Sequence, residues 1–174
     1  MDRDKLYSLE PLGEGKRVEV VRIADIKVSA DPKTTLVTYA LGSCIAVTLY
    51  DPQKMVGGML HFLLPEQPEI SSGQQKSPLA YADTGFENLL KKVLQLGVLK
   101  QNLIVKAVGG AQLLGQTNIM DVGQDNFQSL LKVLKQHDMS LTAEDVGGDY
   151  SRTAMLEIDS GNVTIRAQKK VFQI

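Results

Sequence analysis

The chain has 174 residues, 43% hydrophobic and 22% charged, with a formal net charge of −1 from 19 basic and 20 acidic side chains. These values fit one globular unit that buries its core without disulfides or structural metal, and they exclude the basic footprint of a nucleic-acid binder. One cysteine forbids an intramolecular disulfide and fits a reducing compartment; the polar start MDRDKLYSLEPLGEGKR does not read as a signal peptide, and no run approaches the roughly 20 apolar residues that span a bilayer, so a cytoplasmic location without membrane insertion is expected.

Residues 1–17 are polar, with Pro11, Gly13 and Gly15, and read as a flexible N-terminal tail ahead of a single domain over 18–174. Residues 18–28 are β-rich and Asp31-Pro32 marks a turn. Leu36–Ala40 and Ser43–Tyr50 read as strands, Asp51–Lys54 as a turn, and Val56–Leu64 as a further apolar strand stopped by Pro65. Residues 65–77 form one low-hydrophobicity stretch, expected as a surface loop; its part 66–77 is expected to flank the site described below. Phe86, Leu89, Leu90, Val93 and Leu94 recur at helical spacing and predict a helix near 82–96, with Gly97 as its cap. Leu103–Val108 reads as a strand, Phe127, Leu130, Leu131 and Leu134 predict a helix near 124–137, and Ser140–Val146 reads as a strand. Thr153–Ile158 and Asn162–Arg166 flank the turn Asp159-Ser160-Gly161 as a hairpin. The expected class is α+β, a layered α/β sandwich with a largely antiparallel mixed sheet.

The chemistry-bearing pair is Cys44 and His61. If the hairpin turn is centred on Pro52-Gln53, Cys44 and His61 face each other directly on one side of the sheet, where opposed Cβ atoms lie about 4.5–5.5 Å apart. A bulge at Gly57-Gly58 would shift that register by one. An imidazole at that range can take the proton of a thiol and make it a nucleophile. Gly42 and Ser43 before the cysteine allow a tight turn whose backbone N–H groups support an oxyanion. Equally, a lone cysteine in a β-rich strand is commonly a small core residue, and a histidine among Met59, Leu60, Phe62 and Leu63 is commonly a satisfied core group. A zinc site would need distant carboxylates beside one cysteine and two histidines. His137, at a helix end, suits an electrostatic role there. No phosphate-binding loop, dinucleotide fingerprint or serine elbow occurs, and no cofactor is expected.

Several motifs then agree in order and spacing with one family. Thr38-Tyr-Ala-Leu-Gly-Ser-Cys44, Gly57-Gly-Met-Leu-His61 and Leu64-Pro65 resemble the chemoreceptor glutamine deamidase family CheD. So do Tyr81-Ala-Asp-Thr84, Gly109-Gly-Ala111, Val122-Gly-x-x-Asn126, Ala143-Glu-Asp-x-Gly-Gly148 and Arg152, and the resemblance spans about residues 20–167. It implies a layered α/β sandwich and a Cys–His–Thr triad, with Cys44 as nucleophile, His61 as general base and Thr38 holding the imidazole tautomer. It implies deamidation of glutamines in methyl-accepting chemoreceptors through a thioester, with cleavage of glutamyl methyl esters open to the same intermediate. It also implies a CheC-type phosphatase as a partner, and a non-catalytic regulator of that phosphatase is the alternative function. One departure is Asp125, where the family often carries a basic residue; this bears on docking at that helix start and leaves Thr38, Cys44 and His61 untouched.

Overall fold

The structure is a computed structural model; it describes residues 15–68, 76–112 and 121–174. Among the described residues, ten strands fall into two five-stranded sheets, and two α-helices pack on one of them. The first sheet is built from β1 (Arg17–Val20), β3 (Thr34–Leu41), β8 (Arg152–Glu157), β9 (Val163–Ala167) and β10 (Lys170–Gln173), adjacent in that order. The second holds β2 (Asp25–Ser29), β5 (Val56–Phe62), β4 (Ile45–Asp51), β6 (Ile104–Gly109) and β7 (Ala143–Val146), again in spatial order. The edge pairs β1–β3 and β6–β7 are parallel and every other pair is antiparallel. The expected α+β layered sandwich is therefore present, with its strands divided between two sheets.

The residues expected as one β-rich stretch over 18–28 divide between the sheets. The connector is hydrogen-bonded to both, Val21 N–H to the Val37 carbonyl (2.7 Å) and Ala24 N–H to the His61 carbonyl (2.8 Å). Of the tail expected over 1–17, residues 1–14 lie outside the described residues, while Lys16 pairs with Asp159 at 2.9 Å and Arg17 opens β1. The loop expected over 66–77 is described only at 66–68 and 76–77.

Helices α1 (Ala82–Leu94) and α2 (Val122–Gln136) sit close to their expected places. Phe86, Leu89, Leu90 and Val93 of α1 and Leu130, Val133 and Leu134 of α2 pack on Ile45, Val47, Leu49, Leu60 and Phe62 of the second sheet. α1 runs into Gly97 at φ +80°, and α2 starts earlier than its apolar stripe because the Asp121 carboxylate accepts the Gln124 N–H at 3.0 Å. His137 caps the C-terminal end of α2 with its ring 5.7 Å from that of Phe86. Between the sheets lies a second apolar layer: Leu36, Ala154, Leu156, Val163 and Ile165 face Ala46, Met59 and Val108. Alternation along β4 and β5 thus splits their side chains between two cores. Gly57 and Gly58 serve that double packing and make no bulge. A Cβ on Gly57 would lie 2.8 Å from Ile158, and one on Gly58 would lie 2.9 Å from each of Leu89, Val28 and Val93.

The β4–β5 register corrects the expected one. Asp51 pairs with Val56 and His61 with Ala46, so the loop holds four residues, 52–55, with Met55 at φ +51°. The Asp51 carboxylate accepts the Gln53 and Lys54 N–H groups at 2.8 and 3.3 Å and makes this wider loop the stable one. Cys44 consequently does not stand directly across from His61. The slip is two residues, which preserves the face, and Cys44 lies on the diagonal from His61, just before β4 begins.

Candidate active site

Thr38 and His61 meet between the sheets. Thr38 sits on β3 of the first sheet and His61 on β5 of the second, and both side chains point into the intervening layer. Thr38 Oγ1 and His61 Nδ1 are hydrogen-bonded at 2.8 Å, with both residues buried. Beyond Thr38 the β3–β8 register slips by one residue around Ala40, which lies at φ +55°, so β3 bulges between Thr38 and Leu41. His61 Nε2 is buried and makes no hydrogen bond among the described residues. Burial holds the His61 imidazole down at about 4, so the ring is neutral at neutral pH.

Cys44 lies half-buried in the bend between β3 and β4 and packs on the same inter-sheet layer as Ala46 and Val108. Burial pushes its thiol up, and the pull of its own backbone N–H in the other direction is smaller. Thiol and imidazole therefore both rest uncharged. Three consecutive carbonyl groups fix this bend. Gly42 accepts from Ala111 N–H (2.8 Å), Ser43 from Asn126 Nδ2 (2.9 Å) and Cys44 from Gly110 N–H (2.8 Å). The approach of β6 to the bend requires glycine at 109: φ is +122°, and a Cβ would come within 2.2 Å of the Cys44 carbonyl oxygen.

Of the residues expected at the site, Thr38 and His61 are in direct contact, and Gly42, Ser43 and Cys44 form the adjoining bend. Asn126 and Gly109–Ala111 were not singled out as site residues, although they stand in the family-like motifs. Their link to the bend depends on pairings across more than sixty residues of sequence, for which no local signal exists. Arg152, another motif residue, is buried against Asp145 at 2.7 Å and ties β8 in the first sheet to β7 in the second. Asp125 is exposed in the first turn of α2. Among the described residues no group of three or more His, Cys, Asp or Glu side chains is gathered as a metal would need, and no helix is long and apolar enough to cross a membrane.

Comparison with known proteins places this chain in a family. The family model described as CheD chemotactic sensory transduction matches residues 63–167. The chain belongs to the CheD family. A relative from Syntrophus aciditrophicus, named "Probable chemoreceptor glutamine deamidase CheD 1", is 40% identical over 148 residues, covering 85% of this chain and 92% of the relative. Relatives named "Probable chemoreceptor glutamine deamidase CheD" from Solibacter usitatus and Methanococcus vannielii are 38% and 39% identical, covering 87% and 88% of this chain and 89% and 97% of theirs. The family model begins just beyond His61. An alignment of 148 among 174 residues leaves 26 over, so the first relative's match spans Thr38, Cys44 and His61 wherever it begins.

Proposed function

We propose that this protein is a glutamine deamidase of methyl-accepting chemoreceptors, with Cys44 as nucleophile, His61 as general base and Thr38 as the residue that orients the base. The contact that carries the assignment is the 2.8 Å bond between Thr38 Oγ1 and His61 Nδ1, which leaves Nε2 as the ring's unengaged nitrogen. When Nδ1 carries the proton and donates it to Thr38, Nε2 presents a lone pair, the form a base requires. A buried ring bonded across two sheets keeps that tautomer more firmly than one in solvent.

Because both groups rest neutral, the nucleophile is generated as it reacts. The Cys44 Sγ–H proton passes to His61 Nε2 while sulfur attacks the side-chain carboxamide carbon of glutamine. The tetrahedral oxyanion takes hydrogen bonds from the N–H groups of Ser43 and Cys44, which donate to no backbone carbonyl among the described residues. The C–N bond breaks, His61 returns its proton to the departing ammonia, and a thioester remains. Water then attacks the thioester, gives a proton to His61, and releases glutamate as the thiol regains its hydrogen. A neutral threonine orients His61 without the charge stabilisation that a carboxylate gives the imidazolium, so the intermediate imidazolium is short-lived. Each new glutamate adds a negative charge to the receptor, the local change by which such a modification alters packing and signalling.

A cytoplasmic location and binding to a CheC-type phosphatase belong to the same proposal and rest on family membership. The test is ammonia release from a purified chemoreceptor signalling domain, present with the wild-type chain and abolished in Cys44→Ala while circular dichroism and melting stay unchanged. Equal release by Cys44→Ala would assign the activity elsewhere. Failure to co-purify with the phosphatase would remove the partner and leave the enzyme standing.

A further inference from the structure

We infer that Asn126, on the first turns of α2, is a positioning residue that aligns Cys44 with His61. The inference rests on the proposed Cys–His chemistry and extends it to a side chain that touches neither reacting group. Asn126 is fully buried, and its one amide nitrogen donates to two carbonyl groups from different parts of the site. One is Ser43, immediately before the nucleophile, at 2.9 Å; the other is Leu63, two residues beyond His61, at 3.1 Å. Two carbonyl oxygens facing one amide group fix its orientation, since the flipped amide would set oxygen against oxygen. Asn126 Oδ1 is buried and has no partner among the described residues, so the site tolerates an unsatisfied oxygen to keep both N–H groups engaged.

The bend carrying Cys44 has three carbonyl anchors, and two come from backbone N–H groups of residues 110 and 111 on the β6 side. Asn126 is the anchor that also reaches the chain just beyond His61, so it ties the Cys44 bend to the exit of β5 where the β4–β5 ladder has ended. The remainder of α2 extends that grip along the strand exit: Ser129 Oγ donates to the Pro65 carbonyl at 2.8 Å and Lys132 pairs with Glu66 at 2.6 Å. Ser129 holds the same exit one step farther on, without touching the Cys44 bend. It supplies the control for a purely structural role.

A cycle of substitutions read by iodoacetamide alkylation of Cys44 in the full chain tests this without any receptor. In the wild-type background, His61→Ala is expected to slow alkylation near neutral pH by about tenfold, less than the roughly 100-fold or more that a positioned base contributes to a full catalytic step. In the Asn126→Ala background the same change is expected to alter the rate by less than about twofold, because base and thiol are no longer aligned. Ser129→Ala is expected to lower the melting temperature and keep the full His61 effect. Asn126→Asp provides a form of nearly unchanged size. Its carboxyl can donate one bond when protonated and none when ionised, so the His61 effect is expected at acidic pH and lost as pH rises. Turnover on a receptor is expected to fall about 100-fold in kcat for Asn126→Ala, with KM within about twofold. A full His61 effect retained in both Asn126 variants overturns the positioning role. Absence of any His61 effect in the wild-type chain overturns the Cys–His pair itself and this inference with it, a distinguishable result.

Discussion

The depressed value of His61 makes stability against acid a direct report on the buried ring. The imidazole titrates at about 4 when folded and near 6.5 when free, and the cause is burial. Between those values the unfolded chain binds a proton that the folded chain refuses, so stability rises with pH across that window and is fully present above it. Lowering pH from neutrality to 4 therefore withdraws about 3 kcal/mol of stability through this one residue, from a shift of roughly 2.5 units at about 1.4 kcal/mol each. His61→Gln keeps a side chain able to bond Thr38 and removes the titration. Urea unfolding at a series of pH values isolates the effect, because the carboxylates contribute equally to both chains and cancel in the difference. The stability gap between wild type and His61→Gln is expected to shift by about 3 kcal/mol against the wild type as pH falls through the window. Parallel pH profiles for the two chains would show that His61 is protonated freely in the folded state, and would refute the neutral, water-excluded base.

Three other substitutions follow from single contacts. Thr38→Val keeps shape and deletes the 2.8 Å partner of His61 Nδ1; it is expected to cost about 1–3 kcal/mol in urea unfolding and about 100-fold in kcat, less than the roughly 10⁴-fold that a charged triad loses with its tautomer. Gly109→Ala would force a methyl group to within 2.2 Å of the Cys44 carbonyl oxygen; ammonia release is expected to fall more steeply than stability, and a fully active variant would contradict the close approach. Gly58→Ala places its Cβ 2.9 Å from Leu89, Val28 and Val93 on the helical side; it is expected to cost about 1–3 kcal/mol by overpacking and to leave KM unchanged in receptor assays.

Local pattern revealed the helices and most strands because their signals lie within a few turns of sequence. Phe86, Leu89 and Val93 mark α1 by spacing alone, and Asp159-Ser160-Gly161 marks the β8–β9 hairpin. The tenth strand, Lys170–Gln173, is exposed throughout and carries no alternation to mark it. The division of residues 17–29 between two sheets was equally hidden, since a strand pattern does not name its partner. A two-residue turn would set Cys44 directly across from His61, and Asp51 instead caps a four-residue loop. Because the slip is even, direct opposition is lost while the shared face is kept: parity along a strand decides which face a side chain takes. Thr38 was assigned through family resemblance, because a β-branched residue in a strand looks like any other until the opposing sheet brings His61 to it. Asn126 shows the outer reach of sequence reading, as its two bonds cross 83 and 63 residues.

Conversion of receptor glutamines to glutamates by Cys44 can be read directly by mass. Peptide mass spectrometry of a chemoreceptor signalling domain incubated with the wild-type chain and with Cys44→Ala tests it most directly. Each converted glutamine gains about one dalton as an amide NH2 becomes OH. That gain is expected at discrete receptor glutamines with the wild-type chain and is expected to be absent with Cys44→Ala. No gain with the wild-type chain, or an equal gain with the variant, would contradict it.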